Sequence, residues 1–452
     1  MSLYSHMLQQ RQEQSNPIRV GVIGTGKFGG GLVVQLAQVP GMVTSVVADL
    51  DIDRARRALI TSGAAEADVV APTSVGELAD AVRQGRPAAV DDSALLAGCQ
   101  ALDVVVDATG VPDAGARHAV TAIDAGNHVI MVNIEADVTV GAALARRARS
   151  AGVVYSLVDG DQPGCIMEIV EWATSLGFEI VAAGRGTVYL DSDREGTPES
   201  IQDRFGFDDD TMSRRTINPH MYNSFRDGTK AQLEMTALAN MTGLPPDVRG
   251  MHEPSANLED IPRIFSLKEE GGLLSQRGVV ELANSVAEDG VTPLDNPLRM
   301  GVFVVIRAEH DFIREDLTNY HCYPGGEGNF LLYRPYHLVA VEAPLSIARC
   351  VLYNLSTGAP HERPAADLIT VAKRDLKAGE ILEGGGGHTV NGIIEKAEIA
   401  HRERLLPLGL SKGAVLARDV AASEAVARAD VESLPDSYVG ELREQQDQLV
   451  WG

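Results

Sequence analysis

Arg19-Val20-Gly21-Val22-Ile23-Gly24-Thr25-Gly26-Lys27-Phe28-Gly29 is the stretch that decides the fold. An apolar strand, Arg19 to Ile23, runs into a glycine loop, then into a helix-like stretch ending near Val39. A second apolar run closes on Asp49, at the spacing of about 20 residues expected of a dinucleotide fingerprint. The three glycines do different things. Gly24 permits the tight turn, Gly26 lets the backbone approach a pyrophosphate, and Gly29 allows close helix packing. Lys27 and Phe28 open the helix, whose free amides and dipole favour a phosphate. Asp49 or Asp51 can accept hydrogen bonds from the ribose of NAD. Arg54, Arg56 and Arg57 follow, either to pair with the 2′-phosphate of NADP or to form the solvated face of the next helix.

From Asp51 to Gly98 the pattern reads as a helix and then an Ala/Asp-rich excursion longer than a usual connection. Leu102 to Gly110 is a near-continuous apolar run of the kind buried parallel strands show. Its end, Ala108, Thr109 and Gly110, should face the cofactor. Helical spacing from Ala116 to Ala125 leads to a strand from His128 to Asn133, then Glu135 and a helix around Leu144 to Ser150; Asn133 and Glu135 join the cofactor-binding set. Val153 to Val158 is a further strand, ending in Asp159-Gly160-Asp161-Gln162-Pro163-Gly164. Strands alternating with helices predict an α/β fold, a Rossmann-type doubly wound parallel sheet with ligands at the carboxyl ends of its strands.

The chain has 452 residues and a formal charge of −24, which disfavours nucleic acid as a partner because phosphate binding requires a basic surface. No apolar run reaches membrane-span length and the first sixteen residues lack an apolar signal core, so the expectation is a cytoplasmic protein. Cys99, Cys165, Cys322 and Cys350 are scattered without CxxC pairing and suggest neither disulfides nor a zinc ribbon.

Past residue 165 the pattern turns α+β. Phe178 to Ala183 and Val188 to Asp193 read as strands, Arg194 to His220 as a long loop and candidate lid, Thr229 to Met241 as a helix stopped by Gly243, and Gly301 to Ala308 as a strand. From about Thr370 the chain is glycine-rich with short strands. The expected organisation is a nucleotide-binding domain over 17–164, a substrate or catalytic α+β domain over 165–368 and a small β-rich module over 369–452.

Lys230 and Glu234, four residues apart, project from one face of the predicted helix. Lysine before glutamate is the weaker order for a helical ion pair, and a lysine in the first turn opposes the dipole, so local stability explains the pair poorly. A site explains it better, with Lys230 as a cation for a reacting carbonyl or phosphate, Glu234 as base or metal ligand, and Asn240 as a hydrogen-bonding anchor. Asp159 and Asp161 at a strand end can hold a metal or a substrate hydroxyl, or simply cap turn amides. In Tyr333-Arg334-Pro335-Tyr336-His337, Arg334 can clamp a phosphate or carboxylate beside Tyr336 and His337; a surface arginine among packed tyrosines is the plainer reading. His252 reads as a structural loop histidine.

The runs GVIGTGKFG, VVDATG, VNIEADVTVG, GDQPG, DGTKAQLEMTALANMTGL and RPYHL, in that order, resemble the homoserine-dehydrogenase-like oxidoreductases that carry a C-terminal SAF domain. The characterised branch of that family is a 1-deoxy-D-xylulose 5-phosphate reductoisomerase-like enzyme. Residues 371–380 and 405–410 look like the SAF, or β-clip, signature. The resemblance implies an NADP- or NAD-dependent enzyme of isoprenoid biosynthesis in which Mg or Mn, held by Glu234 or Asp161, assists a skeletal rearrangement. Hydride transfer to the resulting aldehyde follows. Lys230 would then stabilise an oxyanion or move the proton, and Arg334 with His337 would anchor the phosphate. The implied partner is a small phosphorylated sugar or sugar acid, and the implied assembly a homo-oligomer. Residues 191–220 and 309–329 depart from that branch and put the substrate in doubt. Two alternatives stay open: a plain NAD(P)-dependent dehydrogenase of a sugar acid or hydroxy acid, with no metal, and a non-enzymatic dinucleotide-responsive protein using the SAF module for recognition.

Overall fold

The computed structural model describes residues 3–210 and 218–452. The chain forms two compact units, each discontinuous in sequence: Met1–Gly164 with Leu338–Arg363 and Ser437–Gly452, and Cys165–His337 with Pro364–Asp436. The units therefore differ in outline from three consecutive blocks. Residues 338–363 and 437–452 group with the nucleotide-binding segment, and most of the C-terminal β-rich stretch groups with the α+β segment.

In the first unit six strands, β1 (Ile18–Ile23), β2 (Met42–Ala48), β3 (Ala88–Val90), β4 (Val104–Asp107), β5 (His128–Met131) and β6 (Tyr155–Leu157), form one parallel sheet in the order β3-β2-β1-β4-β5-β6. This is the doubly wound α/β arrangement, and its order reverses between β1 and β4, where such sheets open a crevice for ligands. The strands are buried on both faces, which is why they read as unbroken apolar runs. The Asp51–Gly98 excursion is more structured than its composition suggests. It holds helices Ile52–Thr61, Val75–Arg83 and Ser93–Ala97 and the edge strand β3, whose three residues are too few for a period-2 signal. Helix Ala343–Tyr353 places Ala343, Ile347 and Cys350 in the same core as Val20 and Val104. The last helix, Tyr438–Trp451, binds the long helix Ile134–Ala151 through Gln446, which accepts from the Ala143 amide at 3.0 Å and donates to the Thr139 carbonyl at 3.3 Å.

The second unit is built on a mixed five-stranded sheet comprising β7 (Glu179–Thr187), β8 (Val279–Asn284), β9 (Val302–Arg307), β10 (Tyr323–Pro324) and β11 (Asn329–Arg334), in the order β10-β11-β9-β7-β8. Phe265 and Phe303 stack at 5.3 Å in its core. The strand expected from Val188 to Asp193 is absent: β7 continues unbroken to Thr187 and a single 3-10 turn covers Asp191–Asp193. The loop expected over 194–220 is largely helical where described, with Pro198–Ser200, Ile201–Phe205 and a helix starting at Pro219; residues 211–217 lie outside the described residues. Gly184 lets β7 lie close against β8, since a Cβ there would sit 1.8 Å from the Glu281 carbonyl oxygen. β12 (Ala366–Ala372) and β13 (Val390–Lys396) form an antiparallel pair packed against helix Thr229–Thr242. The glycine run 384–387 is pinned: Gly386 and Gly387 accept hydrogen bonds from Asn223 and Lys373. Among the described residues no helix is long and apolar enough to cross a membrane.

Candidate functional site

The crevice of the first unit is built by its loops. Gly24 takes φ +91°, a conformation that only glycine adopts cheaply, and a Cβ there would meet the Ala108 carbonyl at 3.0 Å. Gly24 and Ala108 therefore line adjacent strand ends. A Cβ on Gly29 would fall 1.9 Å from the Gly24 carbonyl oxygen, so only glycine lets helix Lys27–Leu36 close against the loop. Gly26 caps that helix and has open space where a side chain would be, leaving its backbone free to meet a phosphate. These three observations fit a pyrophosphate.

Asp49 closes the crevice at the end of β2. Its carboxylate accepts from the Thr25 amide at 2.9 Å, from the Thr25 hydroxyl and from the Asp51 amide at 3.1 Å. Burial opposes its ionisation, but those hydrogen bonds and the charge of Arg54 outweigh that and hold its pKa below the ordinary carboxylate value. Asp51 instead caps helix Ile52–Thr61, accepting from the Asp53 and Arg54 amides. The three arginines also separate. Arg54 reaches the Thr25 carbonyl at 3.4 Å, while Arg56 binds the Val69 carbonyl and Arg57 stands 3.8 Å from Asp51.

Across the crevice, Thr109 and Asn133 are organised by Asp107, which in the sequence looks like an ordinary strand residue. The buried Asp107 carboxylate accepts from the Thr109 amide and hydroxyl at 3.1 and 2.8 Å and from the Asn133 amide nitrogen at 3.3 Å, and contacts His118 Nδ1 at 2.5 Å. His118 Nε2 in turn meets Ser93 Oγ at 2.7 Å. Asn133 also caps the helix through the Ala136 amide, so Glu135 sits in a first helical turn rather than in a loop. Gly110 takes φ +67° beyond β4.

Asp159 and Asp161 differ sharply. Asp159 is buried and accepts from Ser346 and Thr357 hydroxyls at 2.8 Å each, with Arg349 3.8 Å away. Burial raises its pKa despite these partners, and the cluster is an internal brace. Asp161 is half-buried and accepts from the Gln162 amide at 3.0 Å.

In the second unit the helix Thr229–Thr242 is almost wholly buried, with Gly228 at φ +85° before it and Gly243 at φ +77° after it. Lys230 is the half-buried exception in its first turn. Glu234 is 2% exposed and paired with Arg185, itself 4% exposed. That geometry weakens the metal reading of Glu234, because its carboxylate already faces a buried guanidinium. Among the described residues no group of three or more His, Cys, Asp or Glu is arranged to hold a metal, so the expected Mg or Mn finds no ligand set there. Asn240 accepts from the Ala366 amide at 3.0 Å and ties β12 to the helix. Arg334 lies 4.6 Å over the Tyr336 ring and 3.6 Å from Glu168, while His337 Nδ1 meets the Met300 carbonyl at 3.1 Å. Arg185 carries no local signal: it stands alone between two glycines in an apolar strand.

His252 contacts the fully buried Glu281 carboxylate at 2.6 Å and lies 3.7 Å from Asp247. Its neighbours Met251 and Glu253 take φ +66° and +49°, so the turn is strained on both sides. The Glu281 hydrogen bond raises the His252 pKa above its ordinary 6.5, and burial only partly opposes this. A raised folded pKa means that the pair's stabilisation is complete below the unfolded value and is lost as pH rises through the folded one. Urea midpoints should therefore fall from about pH 6.5 upward, and a His252→Gln protein should lose that slope.

Residues 160–343 match a family model described as the catalytic domain of the oxidoreductase DRL, less than half of the 452 residues. No curated protein sequence matches the chain. Among solved structures it is similar to KijD10, a 3-ketoreductase from Actinomadura kijaniata, with 21% identity over 39% of this chain and 50% of that one and a TM-score of 0.27. It thus spans half the length of that enzyme. A protein described as a "probable dehydrogenase" from Thermotoga maritima shares 12% identity over 75% of this chain and 90% of its own at TM-score 0.37. A DOX-P reductoisomerase in complex with magnesium shares 15% over 48% and 56% at TM-score 0.31. The matched oxidoreductase domain spans the helix Thr229–Thr242, and the first unit carries the strand order of a doubly wound sheet.

Proposed function

We propose that the chain interconverts a carbonyl and a CH–OH group on a small sugar-like or hydroxy-acid substrate, with a nicotinamide bound at the glycine loop and Lys230 moving the proton. The match of residues 160–343 to an oxidoreductase catalytic domain carries this reading, because it spans the helix that bears Lys230. The bound nicotinamide supplies or accepts the hydride. The chain's own residues do the rest: the glycine loop and Asp49 hold the dinucleotide, and Thr109 and Asn133, fixed by Asp107, line the far side of the crevice. The Lys230 ammonium can donate to a carbonyl oxygen as negative charge develops on it. Arg334, stacked on Tyr336, presents a planar fork suited to a carboxylate or phosphate.

The ionised Asp49 favours a free ribose hydroxyl over a 2′-phosphate. Asp49→Asn should raise the ratio of NADPH to NADH affinity by about tenfold, the worth of removing one close charge repulsion of about 1.4 kcal/mol; cofactor titrations by fluorescence read it directly. An unchanged ratio would mean that Arg54 and not Asp49 sets the preference.

The 1-deoxy-D-xylulose 5-phosphate reductoisomerase reading, with a phosphorylated substrate and a C-terminal SAF domain, is the second reading. It is favoured by the resemblance of the motifs. The test is oxidation of NADPH and NADH with that sugar phosphate, with Mn²⁺ or Mg²⁺ and again with a chelator. Metal-dependent turnover supports the reductoisomerase. Absence of oxidation with cofactor binding intact leaves the dehydrogenase reading and turns the search to sugar acids and hydroxy acids.

A further inference from the structure

Lys373, on the strand connection after β12, is buried, and its ammonium donates to three acceptors: the Asp227 carboxylate at 2.7 Å, the Gly387 carbonyl at 2.8 Å and the Gly196 carbonyl at 2.9 Å. All three ammonium protons are thus committed. The other oxygen of Asp227 accepts from the Thr229 amide at 2.9 Å, one residue before Lys230. Asn223 repeats the pattern, donating to the Gly196 and Gly386 carbonyls at 2.9 Å each. Segments around residues 196, 227 and 387 are therefore tied together where the helix Thr229–Thr242 begins.

Farther along the helix, one face is bonded to the C-terminal β pair. Thr229 Oγ1 accepts from the Gly392 amide at 3.1 Å, Gln232 Oε1 from the Ile394 amide at 2.9 Å, and Asn240 Oδ1 from the Ala366 amide at 3.0 Å. Positions 229, 232, 236 and 240 share a helical face. Three side-chain bonds to a rigid strand pair fix both the rotation and the axial position of the helix. Lys230 stands about 100° round from that face, so its direction follows from those bonds. A buried ion pair is seldom a net source of stability, and well-packed apolar residues would serve as well. Its presence at the base of this helix calls for another role.

We infer that Lys373, clamped to Asp227, is the positioning residue for Lys230, and that the C-terminal β pair serves to set the direction of that lysine. The inference rests on the proposed role of Lys230 and adds what holds it in place. Burial pushes the Asp227 carboxyl pKa up, against the pull of Lys373 and the Thr229 amide.

The test needs no substrate. Full-length protein is labelled with acetic anhydride over a range of pH, and the rate and midpoint for the Lys230 amine are read by peptide mass spectrometry against the exposed Lys268, Lys377 and Lys412. Lys373→Met alone strands a buried carboxylate and risks misfolding, so the paired variant Asp227→Asn/Lys373→Met, which removes both charges together, is measured beside it. The expected result is about a tenfold change in Lys230 labelling, equivalent to one unit in its midpoint, with the three reference lysines unchanged. Lys230 labelling identical to wild type in a folded paired variant, even one of lower thermal stability, overturns the inference and leaves only a structural brace. A Lys230→Ala enzyme with normal turnover would fail the underlying functional reading instead, and that failure is read in a separate assay.

Discussion

Lys230→Ala should lose about 10²–10⁴-fold in kcat, the usual range for removing a positioned acid or base, while retaining its affinity for NADPH or NADH. The separation follows from placement. Lys230 belongs to the second unit, whereas the glycine loop, Asp49, Thr109 and Asn133 all belong to the first. The helix itself tolerates the substitution. Alanine is the best helix former, and removing a cation from a first helical turn relieves an unfavourable interaction with the dipole. Turnover lost with cofactor affinity kept is the expected pairing. Turnover within a few-fold of wild type would remove Lys230 from the chemistry and leave Arg334 as the remaining cation of the candidate set.

Arg185→Met should destabilise the second unit by about 3–5 kcal/mol, because breaking a buried pair leaves a carboxylate out of water facing an apolar side chain. Both partners are nearly inaccessible, at 5% and 2% side-chain exposure. Arg185 also donates to the Gly186 carbonyl at 3.0 Å and contacts the Met300 sulfur at 3.5 Å, so its loss loosens β7 as well. The control is Arg185→Met/Glu234→Leu, which removes both charges and should recover most of the loss. Urea denaturation of the two variants measures it. Equal destabilisation of the single and paired variants would mean that the packing of the arginine stem matters and the ion pair does not.

What the sequence discloses is what is local. The first strand, the glycine loop and the next helix follow one another within a few tens of residues, and the parallel sheet follows from them. Helix Thr229–Thr242 carries its own start and stop glycines, and it too is found in place. The hidden elements depend on distance. Arg185 and Glu234 are 49 residues apart and Lys373 and Asp227 are 146 apart, so no window of sequence contains both members of either pair. Asp107 is concealed by its strand, since a carboxylate ending an apolar run looks like a boundary until His118 and Asn133 are seen around it. The polar segment after Arg194 reads as loop because its composition outweighs its short helices, which lean on tertiary contacts such as the edge-on packing of Phe205 and Phe207 against Tyr222.

The interleaving of the two units has a consequence for synthesis. A ribosome delivers residues 1–164 before Ala343, Ile347 and Cys350, which fill the same core as Val20 and Val104, and the helix Tyr438–Trp451 emerges later still. Until then the growing chain exposes a nascent sheet lacking part of its apolar cover, a state that invites aggregation and recruits chaperones. The first unit begins before the second and is completed after it.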